Sequence, residues 1–291
     1  MPLLLVARVV AGIGAALYTP NASAAAAALA GPAHRGRALS VILGGLTIGT
    51  VFGVPVGTAI GQHLSWEASL VFVAAVGALA LLGVLAVLPG LPIPPAIPLT
   101  QRFAVLANRR VVAMVLFMLL ASGAGIMVYT YTATVLGEIA HIHGTALAGA
   151  LLAWGVGGIF GSFGSGWLAD RLGAERTLTF AIALLIVTLA ALTISTSVVP
   201  VVVVMVFNGA AGWALATPNN HRLTTLVPTL PSVVISFNSS GIYLGQALGA
   251  ALGGILVDHD LTARLLCLTG VGIALVAAVV HALIPRPAAE S

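Results

Sequence analysis

Apolar residues run through this chain in long blocks, and most of the charged residues stand between the blocks. A helix needs about 20 apolar residues to cross a hydrocarbon layer roughly 30 Å thick. Continuous apolar runs do not fit a membrane β-barrel, whose strands alternate apolar and polar positions. We therefore predict an all-α integral membrane protein with about nine spans. Their predicted ranges are 2–30, 38–61, 67–90, 111–136, 145–168, 177–197, 199–217, 233–257 and 262–284.

The composition supports a lipid environment. Of the 291 residues, 60% are hydrophobic and 6% are charged, and the mean hydropathy is +1.15. A soluble domain carries about 25% charged residues. So few charges cannot cover a water-facing surface, and we expect the lipid bilayer to be the first partner of this chain. The single cysteine, Cys267, excludes an intrachain disulfide.

The arginines predict the orientation of the chain. All 11 basic residues are arginine, and basic residues are retained on the cytoplasmic side of a membrane. With the C-terminus placed inside, Arg264 falls outside and Arg8 lies within the first span. The others fall in cytoplasmic segments: Arg35, Arg37, Arg102, Arg109, Arg110, Arg171, Arg176, Arg222 and Arg286. The net charge of +4 is therefore read as a topology signal, and no nucleic acid is expected as a partner.

Prolines divide the chain into two unequal parts. Residues 89–110 are rich in proline, which disfavours a continuous helix, and they carry arginines that keep them cytoplasmic. We predict a three-helix remnant of an N-terminal half at 1–90 and a central cytoplasmic linker at 91–110. A six-helix half follows at 111–285, with a cytoplasmic tail at 286–291.

Two spans carry a glycine at every fourth position. Such glycines lie on one face of a helix and let a second backbone approach closely, which is a main source of helix association in lipid. The contact can be a static seam or one that moves, and the spacing leaves both open. The span at 145–168, with Gly157 and Gly161, is the predicted partner of the first run. The two runs are Gly45, Gly49, Gly53, Gly57 and Gly61, interrupted by Pro55, and Gly241, Gly245, Gly249 and Gly253.

Three segments resemble the major facilitator superfamily. They are ARVVAGIGAALYTPNASAAAAAL at 7–29, RGRALSVILGGLTIGTVFGVPVGTAIGQ at 35–62, and NNHRLTTLVPTLPSVVISFNSSGIYLGQALGAALGG at 219–254. The likeness is greatest to bacterial drug:proton antiporters of the arabinose-efflux and chloramphenicol-efflux type. It implies a major-facilitator-like bundle in which the nine spans are helices 4–12 of twelve, so that the first three are lacking. It also identifies the first glycine run with Pro55 as the antiporter motif of that family.

The resemblance implies a transporter rather than an enzyme, with no cofactor. Its function would be proton-coupled efflux of small amphipathic molecules or drugs by alternating access, with sugar efflux as an alternative. Its location would be the cytoplasmic (inner) membrane of a bacterium, with a cytoplasmic C-terminus. A hypothesis of another class is a non-transporting remnant, or a helper that binds a membrane partner through the glycine face at Gly241, Gly245, Gly249 and Gly253.

Charged residues are assigned roles by the same resemblance. Arg8 is similar in position to an intramembrane arginine of the family that is implicated in proton coupling, although it can also snorkel to the nearby surface. The stretch from 166 to 176 resembles the family's cytoplasmic loop motif and would act as a gate, or as a plain tight turn. Ala174 and Glu175 depart from that motif. The gate candidates are Gly166, Asp170, Arg171, Gly173 and Arg176.

Polar and aromatic residues inside the spans are candidates for the substrate surface, because substrate sites in transporters of this plan lie near the midplane. Hydrogen bonds between helices or an interfacial aromatic belt would explain each of them as well. The candidates are Asn21, Tyr129, Tyr131, Trp154, Asn208, Trp213, Asn238, Tyr243 and Gln246.

An enzymatic alternative comes from two predicted outer loops of the second half. Histidines with carboxylates could bind zinc or support a membrane hydrolase, but these residues lack the helical H-E-x-x-H spacing, and we predict no metal site. They are Glu138, His141, His143, Asp258, His259 and Asp260. A nucleotide-driven pump with a G-x-x-x-x-G-K-[ST] loop is excluded, because the chain has no lysine.

We predict that the 291-residue chain alone does not perform proton-driven export. The resemblance pairs Arg8 with an acidic residue on the first helices, and no Asp or Glu lies deep in any predicted span. The measurement is drug transport by vesicles that contain only this purified chain. Robust transport that follows the proton gradient would contradict the prediction.

Overall fold

The computed structural model describes residues 2–88, 98–259 and 261–284, with only part of the side chains of the first helix. Within these ranges the chain is helical and contains no strand. Seven helical segments there are long and apolar enough to cross a membrane, which confirms the predicted all-α membrane fold. They are Trp66–Val87, Arg109–Thr130, Gly144–Leu172, Ala174–Leu192, Val198–Leu226, Pro231–Asp258 and Ala263–Leu283.

The chain forms two compact units, Met1–Pro95 and Ala96–Ser291. The division falls within the predicted linker at 91–110. Residues 91–97 and the predicted tail at 286–291 lie outside the described residues. The assignment of both segments to the cytoplasm remains a prediction.

The first unit consists of α1, Pro2–His63, and α2, Trp66–Val87. Ser65 begins α2, because its hydroxyl oxygen accepts a hydrogen bond from the Ala68 amide at 3.1 Å and satisfies one free donor of the first turn. The Ser69 hydroxyl donates to the Gly57 carbonyl at 2.8 Å. The end of the first glycine run therefore packs against α2.

The predicted break between the spans at 2–30 and 38–61 is wrong, because the backbone is one continuous helix of 62 residues. Alanine occupies most positions from 22 to 30 and strongly favours a helix. A turn between the predicted spans would be favoured if the two halves of α1 packed against each other. Instead, α1 packs against α2. The side chains of Arg35 and Arg37 lie outside the described residues.

The second unit begins with α3, Leu99–Ala104, and a 3₁₀ turn, Val105–Ala107. Its longer helices are α4 Arg109–Thr130, α5 Thr132–Ala140, α6 Gly144–Leu172, α7 Ala174–Leu192, α8 Val198–Trp213, α9 Ala216–Leu226, α10 Pro231–Asp258 and α11 Ala263–Leu283. All six spans predicted between 111 and 284 are present in this unit. Two of them differ in detail: the first is interrupted at Tyr131, and the fourth continues through α9 to Leu226.

Helix α4 lies at the centre of the packing in this unit. It contacts α10 on one side and α11 on the other, α7 contacts both α11 and α8, and α8 contacts α6. Large apolar side chains fill the space between α4, α7 and α11, and Phe117, Leu178, Leu189 and Leu266 are almost fully buried there. The second unit thus has its own apolar core.

Two pairs of helices are in backbone contact through glycine. Along α10, a Cβ atom added to Gly245 would overlap the Leu119 carbonyl, and one added to Gly249 would overlap the Gly123 carbonyl. The four glycines at 241, 245, 249 and 253 are all buried in this seam with α4. The hypothesis that this face is open to another membrane protein is therefore wrong, because α4 of the same chain already occupies it.

A similar seam joins α6 to α8. A Cβ atom on Gly157 would overlap the Val206 carbonyl, and one on Gly161 would overlap the Ala210 carbonyl. The prediction that these two glycines form the partner of the first glycine run is wrong, because α8 covers them. The sequence spacing identified the correct helix face but the wrong partner.

We predict that Gly249→Ala destabilises the second unit by about 1–3 kcal/mol, the usual cost of overpacking. The new methyl group would meet backbone atoms of Gly123, which cannot rotate away. The measurement is equilibrium unfolding of the purified protein in mixed micelles of increasing SDS fraction.

Gly272→Ala is the matched control, since a Cβ atom at this position of α11 meets nothing within 4 Å. This variant should be neutral or more stable, because alanine favours a helix over glycine. Equal stability of the two variants would mean that α4 and α10 do not depend on backbone contact.

Candidate functional site

Three of the predicted substrate-surface residues form an aromatic cluster, defined here as Tyr129 of α4, Trp154 of α6 and Trp213 of α8. The rings of Tyr129 and Trp154 are stacked, with centroids 4.0 Å apart and an angle of 27° between the planes. Trp213 meets Trp154 edge-on at 6.3 Å and 67°. Both arrangements are favourable for aromatic pairs. The cluster joins three helices that are distant in sequence.

Glycines create the space for the two indoles. A Cβ atom on Gly158 would lie 2.8 Å from Cδ1 of Trp213, and one on Gly209 would overlap the backbone carbonyl of Trp154. Trp154 is 7% exposed, whereas Tyr129 and Trp213 are half-buried. The cluster therefore has a buried centre with one partly accessible ring on each side.

A buried polar network fixes the orientation of Trp154. Its indole Nε1 donates to Oδ1 of Asn208 at 3.1 Å, and Nδ2 of Asn208 donates to Oγ1 of Thr188 at 3.0 Å. The indole can only donate, so the Asn208 amide has one consistent orientation. The Thr188 hydroxyl donates a hydrogen bond to the Leu184 carbonyl at 2.9 Å. The chain of bonds links α6, α8 and α7.

A second polar cluster holds α9 against α10 and α4. Nδ2 of Asn219 donates to Oδ1 of Asn238 at 2.8 Å, and Nδ2 of Asn238 donates to Oδ1 of Asn220 at 2.8 Å. Asn219 also donates to the Met114 carbonyl at 3.4 Å. Oδ1 of Asn219 is buried and has no hydrogen-bond partner among the described residues. Asn238 is thus a member of a three-amide junction.

Residue type and spacing did not single out Thr188, Asn219 or Asn220. Threonine commonly bonds to its own helix in a membrane span, so Thr188 gave no distinguishing signal. The two asparagines were missed because the predicted span ended at 217, whereas the crossing continues to Leu226. Their adjacency directly after an apolar span was the usable signal.

The remaining candidates for the substrate surface lie elsewhere. Tyr131 lies between α4 and α5, and its hydroxyl donates a hydrogen bond to the Ala250 carbonyl of α10 at 3.0 Å. Tyr243 is 56% exposed and Gln246 is half-buried on α10. Asn21, in the first unit, is exposed and donates to the Leu17 carbonyl of its own helix at 2.6 Å. In the part of the chain that the structure describes, these four residues lie outside the hydrogen bonds and ring contacts of the aromatic cluster, and Tyr131 has a clear structural role.

The predicted gate segment is a helix end rather than a loop. Gly166, Asp170 and Arg171 lie in α6, and Arg176 lies in the first turn of α7. Gly173 alone connects the helices, at φ 87° and ψ 149°, a conformation that side chains strongly disfavour. The guanidinium of Arg171 lies 4.0 Å above the ring of Trp167.

The glycine run that resembles an antiporter motif lies in α1. A Cβ atom on Gly45, Gly49, Gly53 or Gly57 would meet nothing within 4 Å among the described atoms, and one on Gly61 would lie 3.1 Å from Oγ of Ser69. The side chains of Arg8 and Pro55 lie outside the described residues. The proposed role of Arg8 remains a prediction.

Apart from Asp260, the loop residues of the enzymatic alternative do not form a group that could hold a metal ion. Oε2 of Glu138 accepts a hydrogen bond from the Ala263 amide at 3.0 Å and so caps α11. His141 ends α5 in the left-handed conformation, at φ 54°. Among the described residues there is no group of three His, Cys, Asp or Glu side chains that could hold a metal ion. Asp260 lies outside the described residues.

Known transporters match most of this chain. The sequence model of the Major Facilitator Superfamily matches residues 1–233, which include the aromatic cluster. "Uncharacterized MFS-type transporter YbcL" of Bacillus subtilis is 29% identical over 254 residues, or 87% of this chain and 65% of that protein. "Inner membrane transport protein YdhP" of Escherichia coli (strain K12) is 26% identical over 258 residues, or 89% of this chain and 66% of that protein.

A further relative carries a name that specifies a drug. "Chloramphenicol resistance protein" of Streptomyces lividans is 30% identical over 265 residues, which are 89% of this chain and 67% of that protein. The chain spans about 65% of the length of the first relative named above.

We predict that Asn208→Leu lowers the stability of the second unit by about 1–2 kcal/mol. The substitution removes two interhelical hydrogen bonds, each worth about 0.6 kcal/mol on average in a membrane protein, and leaves the Trp154 indole without its acceptor. Unfolding in SDS measures the loss. Thr130→Val is the control, because Thr130 is exposed and bonds only to Ile126 of its own helix. Asn208→Leu with a stability equal to that of the control would contradict a structural role for the network.

Proposed function

Because the chain belongs to the Major Facilitator Superfamily, we propose that it serves the proton-coupled efflux of small amphipathic molecules by alternating access. The observation that carries the proposal is the aromatic cluster of Tyr129, Trp154 and Trp213, which lies in a membrane-spanning part of the second unit. The protein would lie in the cytoplasmic (inner) membrane of a bacterium, with its C-terminus in the cytoplasm.

The chemistry of the cluster favours aromatic or lipophilic substrates. The accessible rings of Tyr129 and Trp213 offer flat apolar faces, and the polar atoms beneath them are already bonded within the protein. A mostly apolar lining with few polar anchors suits ligands that bury much apolar surface. The name of the Streptomyces relative, a chloramphenicol resistance protein, supports the same class.

Sugar efflux is the second candidate. Sugars also stack on aromatic rings, but they need several free donors and acceptors for their hydroxyl groups. Gln246 and Tyr243 on α10 could supply such groups, since both are at least partly accessible. The two substrate classes therefore differ in whether polar anchors or ring faces dominate the affinity.

The segments that resemble family motifs would move during alternating access. The glycine run from Gly45 to Gly61 would form a close contact that changes during alternating access. The segment around Gly173 would limit the opening on the cytoplasmic side, and Arg8 would take part in proton coupling.

The test is binding of radiolabelled chloramphenicol to the purified chain by equilibrium dialysis, which needs no transport. We predict that Trp154→Leu weakens binding about tenfold, equivalent to about 1.4 kcal/mol, because Tyr129 and Trp213 lose the ring that holds their accessible faces in place. Trp154→Phe keeps a ring at this position and should lose less.

Trp167→Leu is the matched control, because Trp167 lies on the same helix but is 55% exposed and contacts Arg171. Its affinity should equal that of the unmodified chain. Equal losses in the two leucine variants would contradict a site at the aromatic cluster. Displacement of chloramphenicol by arabinose, but not by other aromatic drugs, would favour the sugar alternative.

A further inference from the structure

A buried histidine joins four helices at one end of the second unit. His281 of α11 is 7% exposed, and its ring centroid lies 5.2 Å from that of Phe117 in α4. Nδ1 lies 3.3 Å from Nη1 of Arg222 in α9, and Nε2 lies 3.0 Å from Oγ1 of Thr179 in α7. This junction is separate from the aromatic cluster, and none of the residues assigned to the proposed function belongs to it.

The donors around the ring identify its protonation state. A guanidinium is always charged and can only donate, so Nδ1 of His281 must accept from Arg222 and carry no proton. The ring proton then sits on Nε2 and is donated to Thr179. The Thr179 hydroxyl in turn donates to the Glu175 carbonyl at 3.0 Å. Each donor along this chain meets an acceptor only when His281 is neutral.

Charged groups on the neighbouring helices define the electrostatic setting. Helix α9 contributes Arg222, and α7 contributes Glu175, whose carboxylate attracts Arg222 electrostatically, together with the exposed Arg176. Helix α4 begins with Arg109 and Arg110. These two arginines line a cavity of about 420 Å³ with Ala113, Val280, Leu283 and Ile284, at the same end of α11 as His281.

We propose that His281 is a proton-binding site of the second unit and that the contact between α9 and α11 depends on its protonation. A proton on Nδ1 would remove the acceptor of Arg222 and place two cations about 3.3 Å apart in a buried position. Arg222 would then turn towards Glu175 on α7. Proton binding therefore exchanges an α9–α11 contact for an α9–α7 contact.

The inference deepens the proton coupling of the proposed function and rests on it for its biological meaning. It supplies a titratable group in the last turn of the membrane-spanning helix α11, whereas the predicted spans contain no deep carboxylate. The physical test itself needs no substrate.

The first test is ¹⁵N NMR of histidine-labelled full chain in lipid nanodiscs, titrated from pH 8 to pH 5. The chain has seven histidines, and His281→Gln identifies the signal of His281 by its loss. At pH 8 we expect a proton on Nε2 and none on Nδ1, and at low pH a proton on both. A proton on Nδ1 at pH 8, or no titration of this ring down to pH 5, would overturn the proposal.

The second test measures the distance between spin labels on α9 and α11, at Thr225→Cys and Leu283→Cys. Both positions are exposed, whereas the native Cys267 is fully buried. The distance should increase by about 2 Å or more at pH 5, the scale of a helix shift. His281→Gln keeps an acceptor and a donor without a titratable ring, so its distance should not change with pH. His281→Lys carries a permanent charge and should give the longer distance at both pH values.

His221→Gln is the matched control, because His221 is an exposed histidine on α9. It should keep the full pH response. A pH response in His281→Gln equal to that of the unmodified chain would overturn the proposal. This comparison tests the proposal even if His281→Lys fails to fold. A chain that shows the pH response but does not bind chloramphenicol would leave the proton site standing and overturn the proposed substrate class.

Discussion

The second unit depends on backbone contact between helices at positions occupied by glycine, which has no side chain. At the α4–α10 and α6–α8 seams, glycine faces the carbonyl groups of the other helix, and a single added methyl group would overlap backbone atoms. Lipid provides little apolar driving force for helix association, so close packing of this kind supplies much of the attraction. The positions of Trp154 and Tyr131 follow from it. The Trp154 carbonyl occupies space that Gly209 leaves empty, and the Tyr131 ring occupies space that Gly253 leaves empty.

Polar side chains add interhelical hydrogen bonds to the backbone contacts of the seams. The amides of Asn208 and Asn238 and the imidazole of His281 each bond to at least one other helix. An unbonded polar group in an apolar interior is costly, so each of these residues restricts which helices can be neighbours. Two of the three junctions consist of neutral groups. The junction at His281 differs, because it combines a titratable ring with a permanent charge.

The sequence predicted the helices better than it predicted their partners. Hydropathy located all six spans of the second unit, and residue type alone selected Tyr129, Trp154, Asn208 and Trp213, which lie together in the structure. The spacing of Gly241 to Gly253 identified a contact face, but a repeat of four says nothing about which helix covers that face. The break predicted near residue 34 failed for a related reason. A turn is stabilised by the packing of the helices that it joins, and local sequence does not specify that packing.

Gly173 has a consequence for the mechanics of the second unit. One residue in a conformation reserved for glycine joins α6 to α7, so Leu172 and Ala174 are two residue steps apart and cannot separate by more than about 7 Å. Any relative motion of α6 and α7 must therefore be a rotation about this point, with displacements that grow towards the opposite ends. The connection can act as a pivot, so that a given rotation displaces the far ends of α6 and α7 more than the ends joined at Gly173.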